Sequence, residues 1–136
     1  MALTEERLRT QPAAAGHPDE QLPRRASLTL MLAWAVLLPT ALVLEPAPAA
    51  DATYPWWAWI VSNALLASIA ATFVGLAQRK TWAPTASFIA SSIFVTGVFA
   101  CPASGHHTFG LWWFGQFGVA LALVGLSGAA YLKARR

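Results

Sequence analysis

The chain has 136 residues, of which 57% are hydrophobic and only 11% charged, with seven tryptophans. A soluble domain carries about 25% charged residues, so this composition excludes an ordinary water-soluble fold, and the length suits one domain. A net charge of +3 gives no indication of nucleic acid, and the single cysteine excludes an internal disulfide or a redox Cys-x-x-Cys pair.

The apolar residues fall in four blocks without a formal charge, at about 27–44, 56–77, 84–100 and 109–132. Each is near the roughly 17–25 residues a helix needs to cross a bilayer. The expectation is an all-α polytopic membrane protein, with residues 24–136 forming a four-helix transmembrane domain. Residues 1–23 are polar and interrupted by Pro12, Gly16, Pro18 and Pro23, and read as a disordered cytoplasmic tail in which His17 is solvated. All nine basic residues (Arg7, Arg9, Arg24, Arg25, Arg79, Lys80, Lys133, Arg135 and Arg136) lie outside the apolar blocks. Four crossings place all of them on one side, while the opposite loops carry only Glu45 and Asp51 as formal charges. Basic loops stay cytoplasmic, so both termini are expected inside.

In the first block Pro39 removes one backbone donor, and the carbonyl it frees needs a neighbouring helix, a hydroxyl such as that of Thr40, or water. The block ends in Ala47-Pro48-Ala49, which has the small-x-small look of a signal-peptidase site. Against cleavage, the apolar run exceeds the usual 7–15 residues of a signal core. A loop stiffened by Pro46, Pro48 and Pro55 follows, and Tyr54, Trp56, Trp57 and Trp59 then read as an interfacial aromatic belt. In the second block Asn63 shares a face with Ala67, Ala71 and Gly75, the pattern of an amide bonding across a close helix contact. The third block begins at Pro84, a good first-turn residue. It carries Ser87, Ala90 and Ser91 on one side and Ser92, Thr96 and Ala100 on another, as expected of a helix with neighbours on both sides. In the fourth, Gly115, Gly118, Ala122, Gly125 and Ala129 form the clearest helix-packing seam of the chain. Gln116 points away from that seam and must meet another helix, a partner protein or water, because a lipid-facing amide is costly.

The segment between the third and fourth blocks holds the chemistry. Cys101, His106 and His107 are soft and borderline ligands, and Asp51 or Glu45 from the other loop on that side completes a candidate metal site. Thiolate with imidazole favours copper or zinc over magnesium or calcium. The same small polar residues also suit a plain interfacial turn. Shifting the chain by 56 residues aligns Pro46 with Pro102, Trp56-Trp57 with Trp112-Trp113, and Arg79-Lys80 with Arg135-Arg136. That would be a duplicated helical hairpin, with Glu45 the counterpart of Cys101.

No phosphate loop, dinucleotide fingerprint, zinc-protease motif or nucleophile elbow is present, and no histidine lies inside a block where it could hold haem. The leading expectation is therefore a non-catalytic subunit or assembly factor of a larger membrane complex, with the lipid bilayer and other membrane subunits or further copies as partners. The alternatives are a copper- or zinc-handling protein and a small oligomeric transporter lined by Asn63 and Gln116. Seven arginines against two lysines, with abundant Ala, Gly and Pro, suggest a GC-rich bacterial genome and hence a bacterial plasma membrane.

Overall fold

The computed structural model describes residues 21–48, 55–105 and 107–135, and is all-helical among them. The four helices are α1 (Arg24–Leu44), α2 (Trp56–Ala77), α3 (Ala83–Ala103) and α4 (Leu111–Ala134). All four are long and apolar enough to cross a membrane. They form a multi-pass bundle in which α3 packs closely on both α2 and α4, α4 also packs on α1, and α1 touches α2 only sparsely. The α3–α4 hairpin is thus dense and the α1–α2 hairpin open, so the two halves of the proposed duplication are not packed alike.

Burial runs opposite to that of a soluble bundle. Large apolar side chains such as Val43 (85% exposed), Leu32, Leu66 and Leu111 face outward, while Ser27, Thr72, Ser87, Ser91, Gln116 and Ser127 are buried. Soluble monomers rarely expose so continuous an apolar surface; a bundle in hydrocarbon must. The apolar centre is built from Trp34, Ala41, Ala90, Phe94, Val98, Ala120 and Leu123. A polar chain crosses it: the Trp34 indole donates to Ser87 Oγ at 2.8 Å, and Ser87 and Ser127 share a hydrogen bond at 2.7 Å. This ties α1, α3 and α4 together through groups that lipid could not satisfy.

At the basic end, Leu22 is docked and buried instead of belonging to a free tail; residues 1–20 lie outside the described ones. Its N–H donates to the Arg79 carbonyl at 2.8 Å, and Arg79 Nε donates back to the Leu22 carbonyl at 3.0 Å. Arg79 is left-handed (φ 55°), and the bonds Lys80 N–H to Gly75 O and Arg79 N–H to Leu76 O close a Schellman turn at the end of α2. Glycine normally takes that position; here the double clasp to Leu22 stabilises the arginine in it.

The main correction to the expected spans is at the far end of α3, which continues through Cys101 and Pro102 to Ala103. Pro102 has no N–H for the Val98 carbonyl four residues back. The Trp113 indole supplies the missing donor, at 3.0 Å from Val98 O. Pro39 is also accommodated within α1, but Thr40 Oγ1 bonds Val36 O and not the carbonyl that Pro39 frees.

Ser87→Ala should lower stability in detergent by about 1–2 kcal/mol, since it strips partners from the buried Trp34 and Ser127. The exposed Thr96 only bonds Ser92 O in its own helix, so Thr96→Val should stay within about 0.5 kcal/mol of wild type. Equilibrium unfolding of the two variants side by side checks the ranking.

Candidate metal centre

Three chain segments converge at the end of the bundle away from the basic residues. Glu45 follows directly on α1, its N–H bonded to Leu42 O, so that its backbone is fixed by the helix end. Cys101 sits in the last turn of α3, on rigid helix and not in a loop as the sequence reading had it. The chain then reverses: Ser104 Oγ donates to the Cys101 carbonyl at 2.8 Å, and Gly105 takes a left-handed conformation (φ 74°) with its N–H on Pro102 O. That conformation strains any residue with a side chain, which is why glycine serves at the helix exit.

The reversal brings His107 back over the helix ends. It is 5% exposed, with its ring edge-on to Trp112 at 5.6 Å between centroids. Its Nε2 lies 3.1 Å from Glu45 Oε1, an ion pair when the imidazole is protonated. The donor atoms of Glu45, Cys101 and His107 all lie within 4.8 Å of one another. Ions of this class sit about 2.0–2.3 Å from such ligands, so small side-chain movements suffice to close the three donors on one ion.

The expected donor set is therefore met in part. Cys101 and His107 come together, and of the two carboxylates considered, Glu45 joins them. His106 and Asp51 lie outside the described residues. Nothing in local spacing singled out Glu45, which is separated from His107 by 62 positions.

The intramembrane residues divide differently. Gln116 is buried at the junction of α4 and α1 and donates from Nε2 to the Ala41 carbonyl at 3.0 Å. That carbonyl lies in the last turn of α1, where no later helical N–H serves it, since Glu45 N–H turns to Leu42 O. Gln116 thus caps α1 from outside, about one turn before Glu45. Asn63, expected to bond across helices, is exposed and donates to Trp59 O one turn back in α2.

The small-residue seam also turns out differently within this chain. A Cβ on Gly115 would come within 2.9 Å of Leu44, a true close approach. Beyond it, Gly118 and Gly125 have nothing within 4 Å of such an atom, and Ala122 and Ala129 are exposed. The contact face of α4 is instead Gln116, Ala120, Leu123 and Ser127.

A feature absent from the sequence reading is a cavity of about 300 Å³ in the same half of the bundle. Leu38, Val61, Leu65 and Phe94 are among its apolar walls, and Glu45, Cys101, Ser104 and Gln116 also line it. Gly97, in the middle of α3, faces it with no neighbour for a Cβ within 4 Å.

No protein-family model, curated protein or solved structure matches this chain.

Proposed function

We propose that this chain is a small metal-handling membrane protein that binds one copper or zinc ion through Glu45 Oε, Cys101 Sγ and His107 imidazole nitrogen. The convergence of these three donors, contributed by three separate segments, carries the reading. A thiolate beside an imidazole selects copper or zinc over the hard cations. Three protein donors leave a fourth position for water or an incoming ligand, the arrangement of a site that exchanges or activates and not of a closed structural one. Binding displaces the thiol proton, so uptake releases acid. The distribution of basic residues supports an orientation with both termini in the cytoplasm and the metal centre at the outer face. The arginine-rich composition supports a bacterial plasma membrane as the setting.

A second reading, an accessory subunit of a larger membrane complex, draws on the outward face of α4. Gly118, Ala122, Gly125 and Ala129 leave a smooth strip suited to another transmembrane helix. The two readings are compatible, since that strip lies on α4 whereas Cys101 ends α3 and Glu45 follows α1.

Metal analysis of protein purified without chelators should give close to one equivalent for wild type. Apparent affinity should fall by at least about tenfold in Cys101→Ser and in His107→Ala, a loss of some 1.4 kcal/mol or more. Equal metal content in wild type and both variants removes the basis for the reading. Gly118→Leu with Gly125→Leu should leave that metal content unchanged while releasing any larger partners that co-purify in mild detergent.

Orientation is tested separately with a thiol reagent that cannot cross lipid. It should modify Cys101 in intact cells, more slowly when zinc is present. Modification only after lysis would place the centre on the cytoplasmic side.

A further inference from the structure

The cavity is not needed to hold an ion. Its walls Leu38, Val61, Leu65 and Phe94 are hydrocarbon and aromatic, and an ion has no reason to enter them. Neither is it a gap that packing could not have closed. Gly97 stands in the interior of α3, where glycine is the poorest helix former after proline. A Cβ there would meet no protein atom within 4 Å, and the residue lines the cavity. A half-open cleft of about 300 Å³ beside a glycine has the size of a small ligand site.

The lining also orders an occupant. Its apolar walls are shared among α1, α2 and α3, and the sparse contact between α1 and α2 leaves a lateral outlet toward lipid. Polar groups gather at the end nearer the metal centre: Glu45, Cys101, Ser104 and Gln116. Gln116 gives one amide N–H to Ala41, and its side chain has a second donor and an acceptor. The described basic residues are at the opposite end of the molecule, at Arg24, Arg25, Arg79, Lys80, Lys133 and Arg135. An anionic head would therefore face the Glu45 carboxylate with no lysine or arginine beside it among the described residues.

We propose that this cavity binds a membrane-dissolved amphiphile with an apolar body and a small, uncharged, hydrogen-bonding head, taken up between α1 and α2 with the head toward Gln116 and Ser104. Glu45 and Cys101 border both sites, but the head is assigned to Gln116 and Ser104, so the proposal does not depend on the metal reading.

The test uses the full chain in phosphatidylcholine nanodiscs with a diazirine-bearing decanol, and its decanoic acid analogue as the charged control. Photolabelling by the alcohol should concentrate on Val61, Leu65 and Phe94 over the outward Leu121 and Leu126, and excess unlabelled decanol should suppress it. Gly97→Phe fills the chamber and should abolish this labelling, and Gly97→Leu should reduce it. Both should keep wild-type helicity and metal content. His107→Ala should keep the labelling while losing metal, which separates the two sites. Labelling spread evenly over cavity and outer surface in wild type, or unaffected by competitor, overturns the proposal without recourse to any variant. Undiminished labelling of folded Gly97→Phe does the same, and equal labelling by the acid overturns the uncharged head.

Discussion

The hydrogen bond from the Trp113 indole to the Val98 carbonyl, at 3.0 Å, determines how the far end of the molecule is built. Pro102 would otherwise leave that carbonyl without a donor in a setting where lipid offers none. A helix in that position normally stops or kinks. With the indole in place, α3 continues for a further turn, and Cys101 is carried on helix with its direction fixed. The indole is itself held in an aromatic cluster, stacked on Phe117 at 5.2 Å and edge-on to Phe99, Phe109 and Phe114. From the helix end so defined, Gly105 reverses the chain and His107 meets Glu45. The backbones of the three donors are therefore placed by the helix ends and the turn, and the bond from His107 to Glu45 joins two of the side chains directly.

The same constraint explains which helix faces meet. Between helices in hydrocarbon there is no hydrophobic driving force, and packing and interhelical hydrogen bonds decide association. The face of α4 that packs inward carries Gln116 and Ser127, each bonded to another helix at Ala41 and Ser87. The smoother Gly118–Gly125 strip has no such bonds to make and stays outside. Small residues permit close approach, but the polar groups that must be satisfied choose among the permitted faces.

This accounts for what the sequence discloses. Four charge-free blocks fix four helices, and α2 matches its predicted range of 56–77 at both ends, because Pro55 and the Gln78-Arg79-Lys80 turn punctuate it. The end of α3 lies beyond the apolar block of 84–100 because the donor that replaces the missing Pro102 N–H is an indole eleven positions further on, outside any window of local reasoning. Cys101 and His107 are legible as donors by residue type. Glu45 becomes one only when α1 and α3 end side by side. Asn63 misleads for a related reason: an amide in an apolar helix announces a need for a partner, and a carbonyl one turn back in its own helix meets part of that need. A cavity leaves no mark in sequence at all, since Gly97 reads equally well as a site of close helix packing and as the floor of a void.

Charge balance links the proposed metal centre to its surroundings. In the proposed complex Glu45 and Cys101, as carboxylate and thiolate, bring two negative charges to a place bordered on one side by the apolar cavity. Left uncompensated, two anions there would be held in a poor solvent for charge. Without an ion Cys101 keeps its thiol proton, and His107 Nε2 lies 3.1 Å from Glu45 Oε1. A divalent ion bound by the carboxylate, the thiolate and a neutral imidazole gives a complex with no net charge, whereas cuprous copper leaves one negative charge over. At the proposed site the apolar border would thus favour a divalent ion over a monovalent one.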